Sequence, residues 1–252
     1  MDYNVVADAM LEDYYGLDKW FKPEVNLKLN IKPIPGLNYQ QVVGYENRQW
    51  ELHQYWPSTH RSEIDNSRKG HAHLAFSKTE NLTSEGYFSY VKDFKGGHNL
   101  NATAGYSYFE VNGENFGMDN YNFSVDGIKY WDIGQGSYLT DGKAGMSSGK
   151  SVTERLFSFF ARANYSYQDK YMLSASIRHE GSSKFAADNR WANFWSATAG
   201  WRISNEEFMK DFEWLDDLKV RFGYGVTGNN DFSSTYMANM LASDTNWMLP
   251  DG

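Results

Sequence analysis

Along much of the chain, apolar and polar residues alternate one by one. From Val25 the sequence reads VNLKLNIK, which puts Val25, Leu27, Leu29 and Ile31 on one face and Asn26, Lys28, Asn30 and Lys32 on the other. A period of two marks a strand with unlike faces, because successive side chains leave opposite sides of the pleat. Lys32-Pro33-Ile34-Pro35-Gly36 ends this strand, since two prolines remove ladder donors and a glycine admits positive φ. The same pattern predicts strands over 37–47, 82–94, 98–109, 152–167, 171–180, 191–203 and 218–227. The clearest is 98–109, where Leu100, Ala102, Ala104, Tyr106 and Tyr108 oppose Asn99, Asn101, Thr103, Gly105 and Ser107. The sum is an all-β, antiparallel meander of about eight strands.

Charge is sorted between the two faces. Arg162, Arg178, Arg202, Lys219 and Arg221 all oppose Phe159, Ala161, Leu173, Ala175, Ala197, Ala199, Val220 and Phe222. Gln41 and Lys92 are the exceptions, near strand ends. An Arg or Lys facing lipid at a bilayer midplane costs about 2–4 kcal/mol, so a transmembrane wall requires this sorting. A soluble sandwich, whose apolar face meets a second sheet, sorts charge in the same way.

Connectors separate the two readings. With strands running alternately down and up, the short links 32–36, 95–97 and 168–170 fall on one side, and the long segments 48–80, 110–151 and 181–190 on the other. The Glu/Asp-rich link 204–217 is longish for the short side. Short turns on one side and long loops on the other is the habit of outer-membrane barrels. The parity requires His71–Ser77 to be a hairpin inside a long outer loop. Aromatics gather at strand ends in two belts: Phe94, Tyr165, Tyr167, Tyr171 and Trp201 on one side, and Trp50, Tyr55, Trp56, Trp191, Phe194 and Trp195 on the other.

Composition narrows the function. Aromatic residues make up 17% of 252 residues, in a chain without cysteine and with a formal charge of −8. The charge balance and the lack of a basic block make nucleic acid an unexpected partner. Zero Cys excludes a disulfide framework, a thiolate metal site and a cysteine nucleophile. No run reaches the ~18 apolar residues of a spanning helix. Asp2, Asp8, Glu12 and Asp13 interrupt the first thirty residues, so no export leader is read there, and the chain is expected to be cytosolic or a piece of something longer.

Several strings imitate enzyme signatures without their context. Gly223-x-Gly225-x-x-Gly228 follows a strand, but the polar run Asn229–Ser234 replaces the helix a dinucleotide site needs. Gly145-Met146-Ser147-Ser148-Gly149 resembles a nucleophile elbow in a Gly/Ser-rich loop. The overlapping AGMSSGKS of 144–151 approximates a phosphate loop, and a helix over 151–165 would be its corollary. His71 and His73 share a face with no third metal ligand at recognisable spacing, and read as a solvated pair. Glu206-Glu207 and Asp216-Asp217 read as solvated loop charge. No catalytic residue, metal or cofactor is expected.

From residue 156 onward a family resemblance emerges. Tyr171-Met172-Leu173-Ser174-Ala175-Ser176-Ile177-Arg178, Gly181-Ser182-Ser183-Lys184-Phe185, Asn189-Arg190-Trp191, Ala199-Gly200-Trp201-Arg202-Ile203-Ser204, Glu207-Phe208-Met209, Leu218-Lys219-Val220-Arg221 and Tyr224-Gly225-Val226-Thr227-Gly228-Asn229 follow in order at compatible spacing. This stretch closely resembles the barrel of SusC/RagA-type TonB-linked outer-membrane transporters, and 23–109 resembles the preceding part of that barrel. The resemblance implies an outer-membrane barrel of about 22 strands around an N-terminal plug. It implies import of glycans or peptides, a SusD-like surface lipoprotein as lid, and energy from the TonB complex. Residues 1–252 are then expected to be a partial section of that wall in the lipid bilayer, lacking plug, signal peptide and C-terminal closing strand. Arg162, Arg178, Arg202 and Arg221 are the lumen-facing candidates for ligand contact. A self-contained eight-stranded outer-membrane barrel and a soluble carbohydrate-binding sandwich remain as alternatives.

Overall fold

The computed structural model describes residues 5–228 except 152, 186, 210, 211 and 213. The polar run Asn229–Ser234 lies outside the described residues. Ten strands form one sheet: β1 (Asp13–Phe21), β2 (Glu24–Asn30), β3 (Leu37–Trp56), β4 (His71–Phe94), β5 (His98–Tyr121), β6 (Gly145–Lys150), β7 (Glu154–Tyr167), β8 (Tyr171–Ser182), β9 (Trp191–Arg202) and β10 (Lys219–Gly225). The order is β1-β3-β4-β5-β7-β8-β9-β10, with β2 also on β3 and β6 also on β5. Two short helices, α1 (Val5–Leu11) and α2 (Arg61–Asp65), complete the regular structure with several 3₁₀ turns.

The chain divides into two compact units. Unit 2 comprises Pro23–Tyr45, Leu82–Val111 and the stretch from Thr153 on; unit 1 comprises the segment to Lys22, Glu46–Asn81 and Asn112–Val152. The eight strands read from the sequence are those of unit 2. The segments 48–80 and 110–151, read as long loops, fall almost wholly in unit 1 and are largely folded, carrying the ends of β3, β4 and β5 together with α2 and β6. His71–Ser77 is no hairpin: it begins β4, because Lys78-Thr79-Glu80-Asn81 contains no glycine or proline to stop a strand. The up-and-down parity is kept without that assumption. β1 and β6 are additional to the expectation. The helix that a phosphate loop would need over 151–165 is β7, and Gly145–Lys150 is a strand, which removes both the phosphate-loop and nucleophile-elbow readings.

In unit 2, strand register turns the sequence alternation into rows across the sheet. Leu100, Tyr165, Leu173, Ala199 and Phe222 pair successively; so do Ala102, Ala163, Ala175, Ala197 and Tyr224, and Ala104, Ala161, Ile177 and Trp195. The intervening rows are Asn101-Asn164-Ser174-Thr198-Gly223 and Thr103-Arg162-Ser176-Ser196. Burial is inverted relative to a water-soluble strand. Along β8, Tyr171, Leu173, Ala175 and Ile177 are exposed, whereas Met172, Ser174, Ser176, Arg178 and Glu180 are half-buried. Leu173 is 55% exposed, Ile177 53% and Phe222 76%. The buried hydrophobic residues Leu52, Tyr55, Ala72, Phe123 and Tyr130 all belong to unit 1. The buried residues of unit 2 include Ser158 and Ser182. A sandwich covers its apolar face with a second sheet; among the described residues this face is bare.

The turns that join these strands use the backbone as the sequence suggests. Gly36, at φ +91°, sits where an added Cβ would lie 2.1 Å from the Val91 carbonyl oxygen, and its own oxygen accepts from Val91 N. Gly96 and Gly97 close the β4–β5 turn at φ +85° and +83°. Gln168 and Asp169 take positive φ without being glycine, giving the two-residue twist that suits a tight hairpin.

Gln41, the polar exception on the apolar face, is internally satisfied. Its Oε1 accepts from Tyr39 Oη at 2.6 Å and Tyr106 Oη at 3.1 Å, and its Nε2 donates to Ser84 Oγ at 3.1 Å. Gly86 leaves the room, since a Cβ there would lie within 2.8 Å of all three partners Gln41, Tyr106 and Tyr39. Lys92, the other exception, lies 5.0 Å over the Phe94 ring beside its turn.

A charge placed on the bare face should therefore cost more than the same charge one residue along. Ala175→Arg is expected to lower stability in lipid vesicles by about 2–4 kcal/mol, and Ser176→Arg by less than about 1 kcal/mol. Denaturant unfolding of the two variants checks this; equal losses would contradict the assignment of faces.

Candidate functional site

The four candidate arginines separate into two kinds. Arg178 is committed: its Nε donates to Glu180 Oε2 at 2.6 Å. Arg202 ends β9 and pairs with Asp217 at 3.3 Å, at the strand end and away from the middle of the polar face. Arg162 and Arg221 pair with no carboxylate among the described residues. Both border one open recess of roughly 230 Å³ on the polar face, with Ser174, Ser176, Ser196 and Thr198 between them.

A second organised site caps the β8–β9 end of the sheet. Glu206, read from the sequence as solvated loop charge, accepts from Tyr171 Oη at 2.7 Å, Lys170 Nζ at 2.9 Å and Trp201 Nε1 at 3.0 Å. The three donors hold its carboxyl well below the usual range, near about 2, the Tyr171 hydroxyl contributing most. Around it, Ser204 Oγ donates to Asp217, Asn205 Nδ2 donates to the Asp169 carbonyl, and Ile203 N donates to the Leu218 carbonyl. Tyr171 and Trp201 are cross-strand partners with exposed rings, so one carboxylate fixes two amphipathic rings at a strand end.

Unit 1 has a different chemistry. Lys19–Glu51 at 2.8 Å and Arg48–Asp18 at 2.7 Å join β1 to β3, Lys22 just past β1 pairs with Glu46 at 2.9 Å, and the Arg48 and Lys22 cations lie over the Trp20 ring. Such a charge ladder belongs in water. Its core is Tyr55, Ala72, Phe123 and Tyr130. Tyr55, expected in an aromatic belt, is 2% exposed and donates to Asp126 Oδ1 at 2.8 Å, because β3 runs on past the expected strand end and buries it. Trp56, from the same expected belt, stacks on His71 at 4.5 Å, and His71 on Tyr121 at 4.2 Å. The two histidines are not a solvated pair: Asp119 Oδ1 accepts from His71 Nε2 at 2.8 Å and from His73 Nδ1 at 2.9 Å. Burial pushes the His71 pKa down against the pull of Asp119, and Glu63 and Arg68 act on it with opposite signs. No group of three metal-ligating side chains occurs among the described residues.

A bare apolar face, a polar face with sorted cations and ring-bearing strand ends define a barrel wall, and comparison with known proteins agrees. A family model described as TonB dependent receptor-like, beta-barrel matches residues 8–248. The chain belongs to this TonB-dependent receptor β-barrel family. It is 31% identical over 221 residues to TonB-dependent receptor P39 of Formosa agariphila, covering 84% of this chain and 20% of that protein. Over 96 residues it is 38% identical to TonB-dependent receptor SusC of Bacteroides thetaiotaomicron, covering 38% of this chain and 10% of the relative. The solved structure of the RagAB peptide transporter superposes with a TM-score of 0.77 at 22% identity, over 90% of this chain and 24% of that one, a likeness of fold. The chain spans about a fifth of the length of relatives such as P39.

Within the TonB-dependent receptor family, outer-membrane location follows from the barrel. The motif Ala199–Ser204 with Glu207–Met209 is the frame of the Glu206 cap. Glu206 is inconspicuous in the sequence because its partners Lys170 and Tyr171 lie 36 and 35 residues away, with no local spacing to reveal them.

Two acid responses follow from opposite signs. Glu206 has a depressed folded pKa, so its contribution is complete above the ordinary value of 4.5 and is lost as pH falls toward about 2. Glu206→Gln is expected to flatten the thermal-midpoint profile of the barrel over that window, and an unchanged profile would contradict the cap. His71 is a base with a depressed folded pKa, so its contribution is complete above 6.5 and fades as pH falls below it, the unfolded chain taking up the proton first. Amide hydrogen exchange in β6 and around Tyr121 should quicken on mild acidification, and His71→Asn should remove that response.

Proposed function

We propose that this chain forms part of the wall of a TonB-dependent outer-membrane transporter that imports glycans or peptides together with a SusD-like surface lipoprotein. The observation that supports this reading most is the inverted alternation of unit 2, in which Leu173, Ala175 and Ile177 are exposed while Ser174, Ser176 and Arg178 are half-buried. A sheet built so has hydrocarbon as its outer solvent and a polar conduit on the other side. The TonB complex supplies the energy, and the membrane is the outer membrane of a Bacteroidetes-type Gram-negative cell. Unit 1 carries a charge ladder suited to water, and Trp131, 77% exposed, offers a ring on which a sugar or a peptide side chain stacks. Glycans suit that ring and the neighbouring amides and hydroxyls; peptides are the cargo class of the similarly folded RagAB transporter. Among the described residues the sheet is open, with β1 and β10 at the two ends of its path, which favours a wall section over a self-contained eight-stranded barrel.

The absence of cysteine allows single-site labelling. Spin labels at 161, 175, 199 and 222 are expected to be relaxed by oxygen in preference to a nickel chelate, and labels at 164, 176 and 198 the reverse. In the native host, loss of the protein should abolish uptake of a glycan or peptide fraction that an uncoupler also blocks. Nickel preference at the first set, or uptake indifferent to both treatments, would refute the proposal.

A further inference from the structure

We propose that Arg162 and Arg221 form a seat for an anionic group, a carboxylate or sulfate carried by the solute that passes along this wall. The proposal rests on the transporter reading and specifies the solute. Elsewhere in the described structure, arginines are committed: Arg48 to Asp18, Arg61 to Asp65, Arg68 to Glu63, Arg155 to Glu110, Arg178 to Glu180 and Arg202 to Asp217, while Arg190, off this face, donates to the Phe185 carbonyl. Arg162 and Arg221 are the departure from that habit, and both open into one recess.

Register explains how residues on non-adjacent strands converge. Arg162 on β7 pairs laterally with Ser176 on β8, which pairs with Ser196 on β9. Arg221 on β10 pairs with Gly200 on β9, which pairs with Met172 on β8. With no side chain at Gly200, Arg221 reaches across β9 and borders Met172 and Ser174, which line both its recess with Arg162 and the adjoining one. The Lys219 stem passes 3.6 Å from the position a Cβ on Gly200 would take, adding a third cation to the same face. Asp93, the acid bordering the adjoining recess, is held by the Asn99 amide.

The floor suits an oxyanion. Ser176 and Ser196 hydroxyls lie 2.7 Å apart, and whichever of them accepts has its own proton free to turn outward. A guanidinium presents a planar fork that takes two oxygens of a carboxylate or sulfate, and the free hydroxyl proton of the serine pair reaches a further oxygen. The recess between Arg162 and Arg221 has two guanidinium groups and no carboxylate in its lining, which concentrates anions there. A neutral oligomer gains hydrogen bonds there without the charge-assisted part.

The same chemistry has a second source, an acidic side chain of the protein itself, and the test separates them. The detergent-purified outer-membrane protein, its folding verified by heat-modifiable migration, is titrated with an oligogalacturonate, with its carboxyl-reduced neutral counterpart and with inorganic sulfate. The unmodified protein is expected to prefer the charged oligomer, and R162Q/R221Q to bind it about tenfold or more weakly with the neutral one unchanged. R162K/R221K, which keeps charge but loses the fork, should fall between. Unaltered oligogalacturonate binding by R162Q/R221Q overturns the seat, as does no binding of any probe to the unmodified protein. Lack of preference together with a lower melting temperature of R162Q/R221Q assigns the arginines to an internal ion pair and also overturns it. Persistent uncoupler-sensitive uptake of the neutral oligomer distinguishes failure of the seat from failure of the transporter reading.

Discussion

A single sheet with no second layer among the described residues leaves each residue of unit 2 one choice, hydrocarbon or lumen, and everything else in the structure follows from it. The backbone contributes by lateral pairing, which satisfies N–H and C=O groups where no water is present to do so. Side chains contribute by period, so the rows Leu100–Phe222 and Ala102–Tyr224 are continuous across five strands. Burial against water cannot stabilise such a sheet, which is why its fully buried side chains among the described residues include Ser158 and no large aliphatic. Unit 1 obeys the ordinary rule, with Tyr55 and Phe123 inside and ion pairs outside.

Deviations from the rule carry the information. Gln41 is admitted to the greasy face only as the centre of a closed hydrogen-bond set made possible by the small Gly86. Ring residues at the strand ends are anchored through Glu206, so their orientation is fixed by a charge outside the sheet. The two arginines without acids are the inverse case, charge admitted to the polar face without its counterion.

The eight strands of unit 2 were legible because a period of two needs only neighbouring residues to be seen, as in Leu100 to Ser107. The nature of the outer solvent was less so, since Ala175 and Leu173 look alike whether lipid or a second sheet covers them; ordered pieces such as Ala199–Ser204 decided it through family. Unit 1 was hidden for a physical reason. Its strand ends, such as Gln49–Trp56, keep charged or amide groups on both faces, so alternation disappears although the pairing continues. The Glu206 and Asp119 clusters join residues 35 to 48 positions apart, and only folding makes such neighbours.

The uninterrupted course of β4 from His71 to Phe94 fixes more than its length. Losing one residue within Lys78-Thr79-Glu80-Asn81 would rotate either His71 and His73 away from Asp119 or the lipid-side ring of Phe88 into the channel. A single inserted residue there would need a β-bulge to keep both ends of the strand on their faces. Four plain residues in the middle of a strand thus act as a parity lock for the side chains on either side of them.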